Sequence, residues 1–125
     1  MKKLVRVMVL DDSPEMLNSI CTYLEAYDGL EVIGRAMDGY EMLDMAKQRK
    51  PDLIISHVHA PRMGGLEYTL LLREALPATR FITLTDIPSA DADRAARDLA
   101  SRRPELAERL AREIQRLFPG AIPHE

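Results

Sequence analysis

Three apolar runs, each ending in side chains that carry chemistry, constrain this chain more than any other feature. Leu4 to Leu10 runs into Asp11-Asp12, Leu53-Ile54-Ile55 runs into Ser56-His57, and Phe81-Ile82-Thr83-Leu84 ends at Thr85. Stretches with helical spacing separate them, which argues for repeated strand-helix crossovers and a parallel sheet. In an open sheet of that kind the carboxyl ends of the strands converge on a crevice where ligands bind. The expected fold class is α/β, with a doubly wound parallel sheet.

The helical stretches have readable starts and faces. Ser13-Pro14 is a good entry, with a capping hydroxyl followed by a proline pre-set for the first turn. Leu17, Ile20, Leu24 and Tyr27 then recur on one face. Glu41 to Gln48, with Leu43 and Ala46, predicts a second helix, and Leu66 to Leu76 a third. Asp28-Gly29 and Pro77-Ala78 separate elements. After Ile87-Pro88 the pattern changes. From Asp91 to Phe118 there is no apolar strand of the expected length, only helix formers such as Ala, Leu, Arg and Glu. Leu106, Leu110, Ile114 and Leu117 mark one face of a last helix, Glu105 with Arg109 and Glu108 with Arg112 offer supporting pairs, and Pro119-Gly120 stops it.

At 125 residues the chain fits one domain, 1–125, able to bury its own core. A formal charge of -3, with both signs interspersed, gives no reason to expect nucleic acid as a partner. The seven arginines and six acids of residues 91–116 read as a solvated helix face. No apolar stretch is long enough to span a membrane, and the start lacks a signal-peptide pattern. Lone Cys21 sits in a helical pattern and reads as a buried structural thiol of a reducing, cytoplasmic compartment. Met8, Met16, Met37, Met42, Met45 and Met63 are expected to fill core gaps or line contacts. No serine lies in a nucleophile elbow, and Gly64-Gly65 is a turn, not a nucleotide-binding loop. The chain is expected not to be an enzyme, with no catalytic residues.

Taken in order, Asp11-Asp12, Glu31-Val32-Ile33-Gly34, Asp38-Gly39, Pro51-Asp52, Pro61, Gly64-Gly65-Leu66-Glu67 and Leu84-Thr85 resemble the receiver domain of two-component response regulators. The resemblance covers residues 4–90 and implies a flavodoxin-like fold of the receiver type, in which Asp11 and Asp12 match the acidic pair that helps hold magnesium. Thr85 matches the hydroxyl that follows the phosphoryl group. His57 falls where the family's phosphorylated aspartate would be, which excludes aspartyl phosphorylation at that position.

Two further departures point the same way. The four lysines are Lys2, Lys3, Lys47 and Lys50, so the family's pocket lysine beyond Thr85 is missing. Arg102 or Arg103 would supply charge there only as a planar fork, not as a compact ammonium. Asp86 adds a carboxylate beside Thr85, where the family usually keeps a small residue. The family's fifth strand is expected to be deleted, leaving residues 91–118 as a remodelled helical arm. An open sheet edge and a free arm favour a homodimer through residues 91–118, against a monomer whose last helix covers the edge.

The pocket is thus expected to comprise Asp11, Asp12, His57, Thr85 and Asp86, with His57 as a degenerate phosphoacceptor position. His57 is expected to pair with the aspartates, which would raise its pKa and hold the pocket in one state without phosphate. The resulting reading is a phosphorylation-independent signalling module with protein partners and no cofactor. Two alternatives stay open. One is a metal-binding sensor or enzyme using Asp11, Asp12, His57 and His59, with zinc or another divalent metal held by imidazoles and carboxylates. The other is a phosphorelay receiver with a non-standard acceptor, including phosphohistidine at His57.

Overall fold

A computed structural model describes residues 4–57, 65–84 and 104–122 of the chain. Four strands alternate with helices: β1 (Val5–Asp11), α1 (Pro14–Glu25), β2 (Leu30–Ala36), α2 (Gly39–Arg49), β3 (Leu53–His57), α3 (Gly65–Ala75), β4 (Arg80–Leu84) and finally α4 (Pro104–Leu117). The strands are parallel and ordered β2-β1-β3-β4. Chain order reverses beside β1, the kind of switch point at which a crevice opens at the carboxyl ends.

Strand alternation sorts the core into two layers. Val7 and Val9, Leu53 and Ile55, and Ile82 and Leu84 pack on one face with Leu17, Ile20, Cys21 and Leu24 of α1 and with Leu106, Ala107, Leu110 and Ile114 of α4. Met8, Leu10 and Ile54 face the other way, onto Met42 and Ala46 of α2 and Leu72 of α3. β1 is inaccessible from Val7 to Leu10, as a central parallel strand covered on both sides should be.

Within the described residues the expected strands and helices are present, with local corrections. Ser13 caps α1, its Oγ accepting from the Met16 N–H at 3.3 Å. The second helix starts two residues before Glu41 because Asp38 caps it, accepting from the Glu41 N–H at 2.8 Å. Its main core residue is Met42, with Leu43 only partly buried: starting at Gly39 turns residue 42 toward the sheet. Met8 and Met16 are buried, Met45 is partly buried, and Met37 is exposed. Cys21 is a buried free thiol, pushed up to about 11 first by burial, with Glu25 and Asp11 adding to the rise and Arg35 opposing it.

α4 spans Pro104–Leu117, and its apolar stripe is buried against its own sheet. A tyrosine clamp adds to this packing. The Tyr23 hydroxyl donates to the Ala107 carbonyl at 3.1 Å and lies 3.1 Å from the Tyr27 hydroxyl, the two rings meeting edge to face. Beyond α4 the chain turns through Gly120, whose φ of 92° favours glycine. It then passes so close to Gly29 that a Cβ there would overlap the Ala121 carbonyl. An arm exchanged between copies would make these same contacts on the other copy. Of the expected arm, residues 91–103 lie outside the described residues, as does any fifth strand between β4 and α4. Among the described residues β2 and β4 are the sheet edges.

Candidate functional site

The carboxyl edge of the sheet is built by register. Asp11 on β1 pairs with His57 on β3, and His57 with Leu84 on β4, so one row crosses three strands. Adjacent backbones in such a row lie about 4.8 Å apart. The sequence intervals therefore bring His57 beside Asp11, as the strand-end counting required. Thr85, Asp86, His59, Arg102 and Arg103 lie outside the described residues, and of His57 only the backbone is described.

Asp11 is fully buried, and its Oδ1 accepts from the Ser13 N–H at 2.9 Å. That bond closes the turn from β1 into α1, so the carboxylate sets the helix start. Asp12 follows, partly buried. The amino ends of α1 and α2 both open at this edge, with Ser13 and Asp38 as their caps.

The donor set departs from what the family's magnesium requires. Magnesium selects oxygen ligands in near-octahedral geometry. Two carboxylates with an imidazole residue in the third position suit a transition metal better. Among the described residues there is no group of three or more His, Cys, Asp or Glu placed to hold a metal. Of the three positions, only Asp11 and Asp12 keep the oxygen donors that magnesium selects.

Two features of this region were not extracted from the sequence. The charges are not evenly interspersed: residues 7–46 carry nine acids, Asp11, Asp12, Glu15, Glu25, Asp28, Glu31, Asp38, Glu41 and Asp44, against the single base Arg35. Arg35 is itself paired with Glu25 at 3.1 Å. Tyr40, at the start of α2, is 85% exposed, and neighbouring Met37 is 43% exposed. Counting charge by segment would have found the first. Tyr40 is legible only once Asp38 is known to cap the helix.

The Response regulator receiver domain family matches residues 7–101. Response regulator GacA of Pseudomonas viridiflava is 37% identical over 82 residues, which cover 66% of this chain and 38% of that protein. The chain thus spans about two-fifths of that relative's length. Among solved structures, the response regulator domain of Thermotoga maritima CheB superposes with a TM-score of 0.64 at 24% identity, covering 92% of this chain and 96% of that one. The isolated REC domain of RcsB from Salmonella enterica serovar Typhimurium, in the presence of phosphomimetic BeF3-, gives 0.62 at 18%, covering 92% and 99%. These two likenesses establish the fold. With the ordered crossovers, the reversal beside β1 and the acidic strand end already described, the family match establishes that the chain belongs to the response regulator receiver domain family.

Proposed function

We propose that this receiver works without aspartyl phosphorylation, as a protein-interaction module of a two-component pathway and not as an enzyme. The observation that carries the proposal is the register of β1 with β3, in which residue 57, opposite Asp11, is histidine. An imidazole gives neither the acyl-phosphate nucleophile nor the third oxygen ligand that magnesium-assisted transfer uses. The absence of any lysine after Lys50 removes the compact cation that would clamp a phosphoryl group. His57 instead acts as a standing positive partner for Asp11 and Asp12, holding the crevice in one state. No helix among the described residues is long and apolar enough to cross a membrane, and a cytoplasmic pathway with protein partners suits this reading.

The test is incubation with magnesium and acetyl phosphate, followed by intact-mass measurement at acid and at neutral pH. The expected result is the unmodified mass in both. An added phosphoryl group stable to acid would relocate the acceptor to a carboxylate. One stable only near neutrality would make His57 or another histidine a phosphoacceptor. Either contradicts the proposal. The metal reading, centred on Asp11, Asp12, His57 and His59, is separated by equilibrium dialysis against zinc, where one tightly held equivalent would favour a metal site over the proposed pairing of His57 with the aspartates.

A further inference from the structure

The amino end of the sheet carries a cavity that the crevice chemistry does not use. It lies roughly 20 Å from Asp11 along β1 and has a volume of about 430 Å³, within the range of small-ligand sites. Leu4 and Val5 at the start of β1 contribute to its walls, as do Leu117, Phe118 and Ala121 at the end of α4. The Ala121 N–H donates to the Phe118 carbonyl at 3.0 Å, and the Ala121 backbone passes against Gly29, whose own carbonyl accepts from the Val5 N–H at 2.9 Å. These contacts tie the chain beyond α4 to the start of β1, with the cavity beside them.

The charge on the cavity is one-sided. Asp52 is the only charged residue on the described walls. Its Oδ2 accepts from the Arg6 backbone N–H at 2.9 Å, and among the described residues its carboxylate has no other hydrogen bond and no ion pair. The bases near this end are directed elsewhere. Arg6 donates its side-chain N–H groups to the Arg49 and Lys50 carbonyls, on the α2 side of the sheet, and Arg116 in the last turn of α4 pairs with Glu113 at 2.9 Å. The second source of negative potential is α4 itself. This helix of 14 residues ends at Leu117 on the cavity wall, and a helix carboxyl end carries about half an elementary negative charge. An apolar lining, two sources of negative potential and no cation among the described walls match a ligand with an apolar body and a positive head.

We propose that this cavity binds a small cationic amphiphile, an apolar body ending in a protonated amine, with the amine on the Asp52 carboxylate and the body against the walls from β1 and α4. Partial burial strengthens the charge-assisted hydrogen bond between amine and carboxylate. The apolar walls supply the rest by removing the body from water. The site stands apart from the crevice and does not depend on the phosphorylation chemistry proposed there.

Amide NMR titration of the full chain with 4-phenylbutylamine tests it. Saturable shifts are expected at Val5, Gly29 and residues 117–121, with a Kd of about 1 mM for a ligand of this size. The uncharged 4-phenylbutan-1-ol should bind about tenfold more weakly, and the anion 4-phenylbutyrate more weakly still. Asp52→Asn keeps an oxygen for the Arg6 N–H and should weaken the amine about tenfold while leaving the alcohol unchanged. If that variant lowers the thermal midpoint, Pro119→Lys takes its place: it sets a tethered ammonium on the exposed rim and should weaken the amine by competition. Asp44→Asn makes the same charge change on exposed α2 and should leave amine binding as it was. The proposal is overturned if amine and alcohol bind equally, or if Asp52→Asn binds the amine as well as the parent chain does. Shifts centred on the acidic carboxyl edge, at Asp12, Asp38 or Glu41, would also overturn it. So would the absence of saturable shifts, as when Lys2 or Lys3, which precede Leu4 and lie outside the described residues, already holds Asp52.

Discussion

From Val7 to Leu10, β1 is buried on both faces, and its side chains act by volume and shape. One residue further, at Asp11, individual atoms decide what the edge can do. In the interior a volume-conserving apolar exchange costs less than about 1.5 kcal/mol and leaves the fold in place. At the edge, a change from carboxylate to imidazole at residue 57 alters charge, ligand class and nucleophile together. The contrast teaches that the interior specifies the receiver fold by volume and shape, while the chemistry of the edge rests on a few individual side chains.

Breaking the interior should give the largest effect and leave the edge's behaviour unchanged. Leu110→Ala removes a fully buried side chain that holds α4 to the sheet, and a loss of about 2–5 kcal/mol is expected in urea denaturation. A loss under about 1 kcal/mol would mean that α4 is not packed on its own chain in solution.

The buried thiol gives a pH-dependent counterpart. Cys21 is raised from 9.0 to about 11 in the folded chain, so its contribution is fully present below pH 9 and is lost as pH rises from 9 toward 11. Chemical denaturation across that window should show a fall of roughly 1–3 kcal/mol, made shallower by Cys21→Ala. The Tyr23 phenol, also pushed up by burial, adds a fall in the same direction at higher pH. A stability that rises through this range would contradict the buried thiol.

Tyr23→Phe keeps the ring and deletes the hydroxyl that bonds Ala107, and should cost about 1 kcal/mol. His57→Asp sharpens the other side of the comparison. It restores a carboxylate opposite Asp11 yet supplies no lysine and leaves Asp86 in place, so mass measurement after acetyl phosphate should show little or no phosphorylation. Strong phosphorylation would mean that residue 57 alone had silenced the edge.

Much of this was readable from residue order. The apolar runs gave β1, β3 and β4, Ser13-Pro14 gave the start of α1, and Leu106, Leu110 and Ile114 gave the buried face of α4. The row joining Asp11 to His57 was accessible because both residues close their apolar strands. Contacts that depend on side chains far apart in sequence were not accessible: Tyr23 meeting Ala107, Arg6 reaching the end of α2, and Gly29 making room for Ala121. Periodicity reports which face is buried, but not which distant carbonyl a hydroxyl or guanidinium finds there.

The most direct measurement is an amide NMR titration of the chain with magnesium and beryllofluoride, a mimic of the phosphorylated aspartate. If the edge has lost receiver chemistry while the interior keeps the fold, the spectrum should be dispersed and should not change on addition. Shifts clustered at Asp11, Asp12, His57 and Thr85 would contradict this, because they would mean that the pocket still binds a phosphoryl mimic.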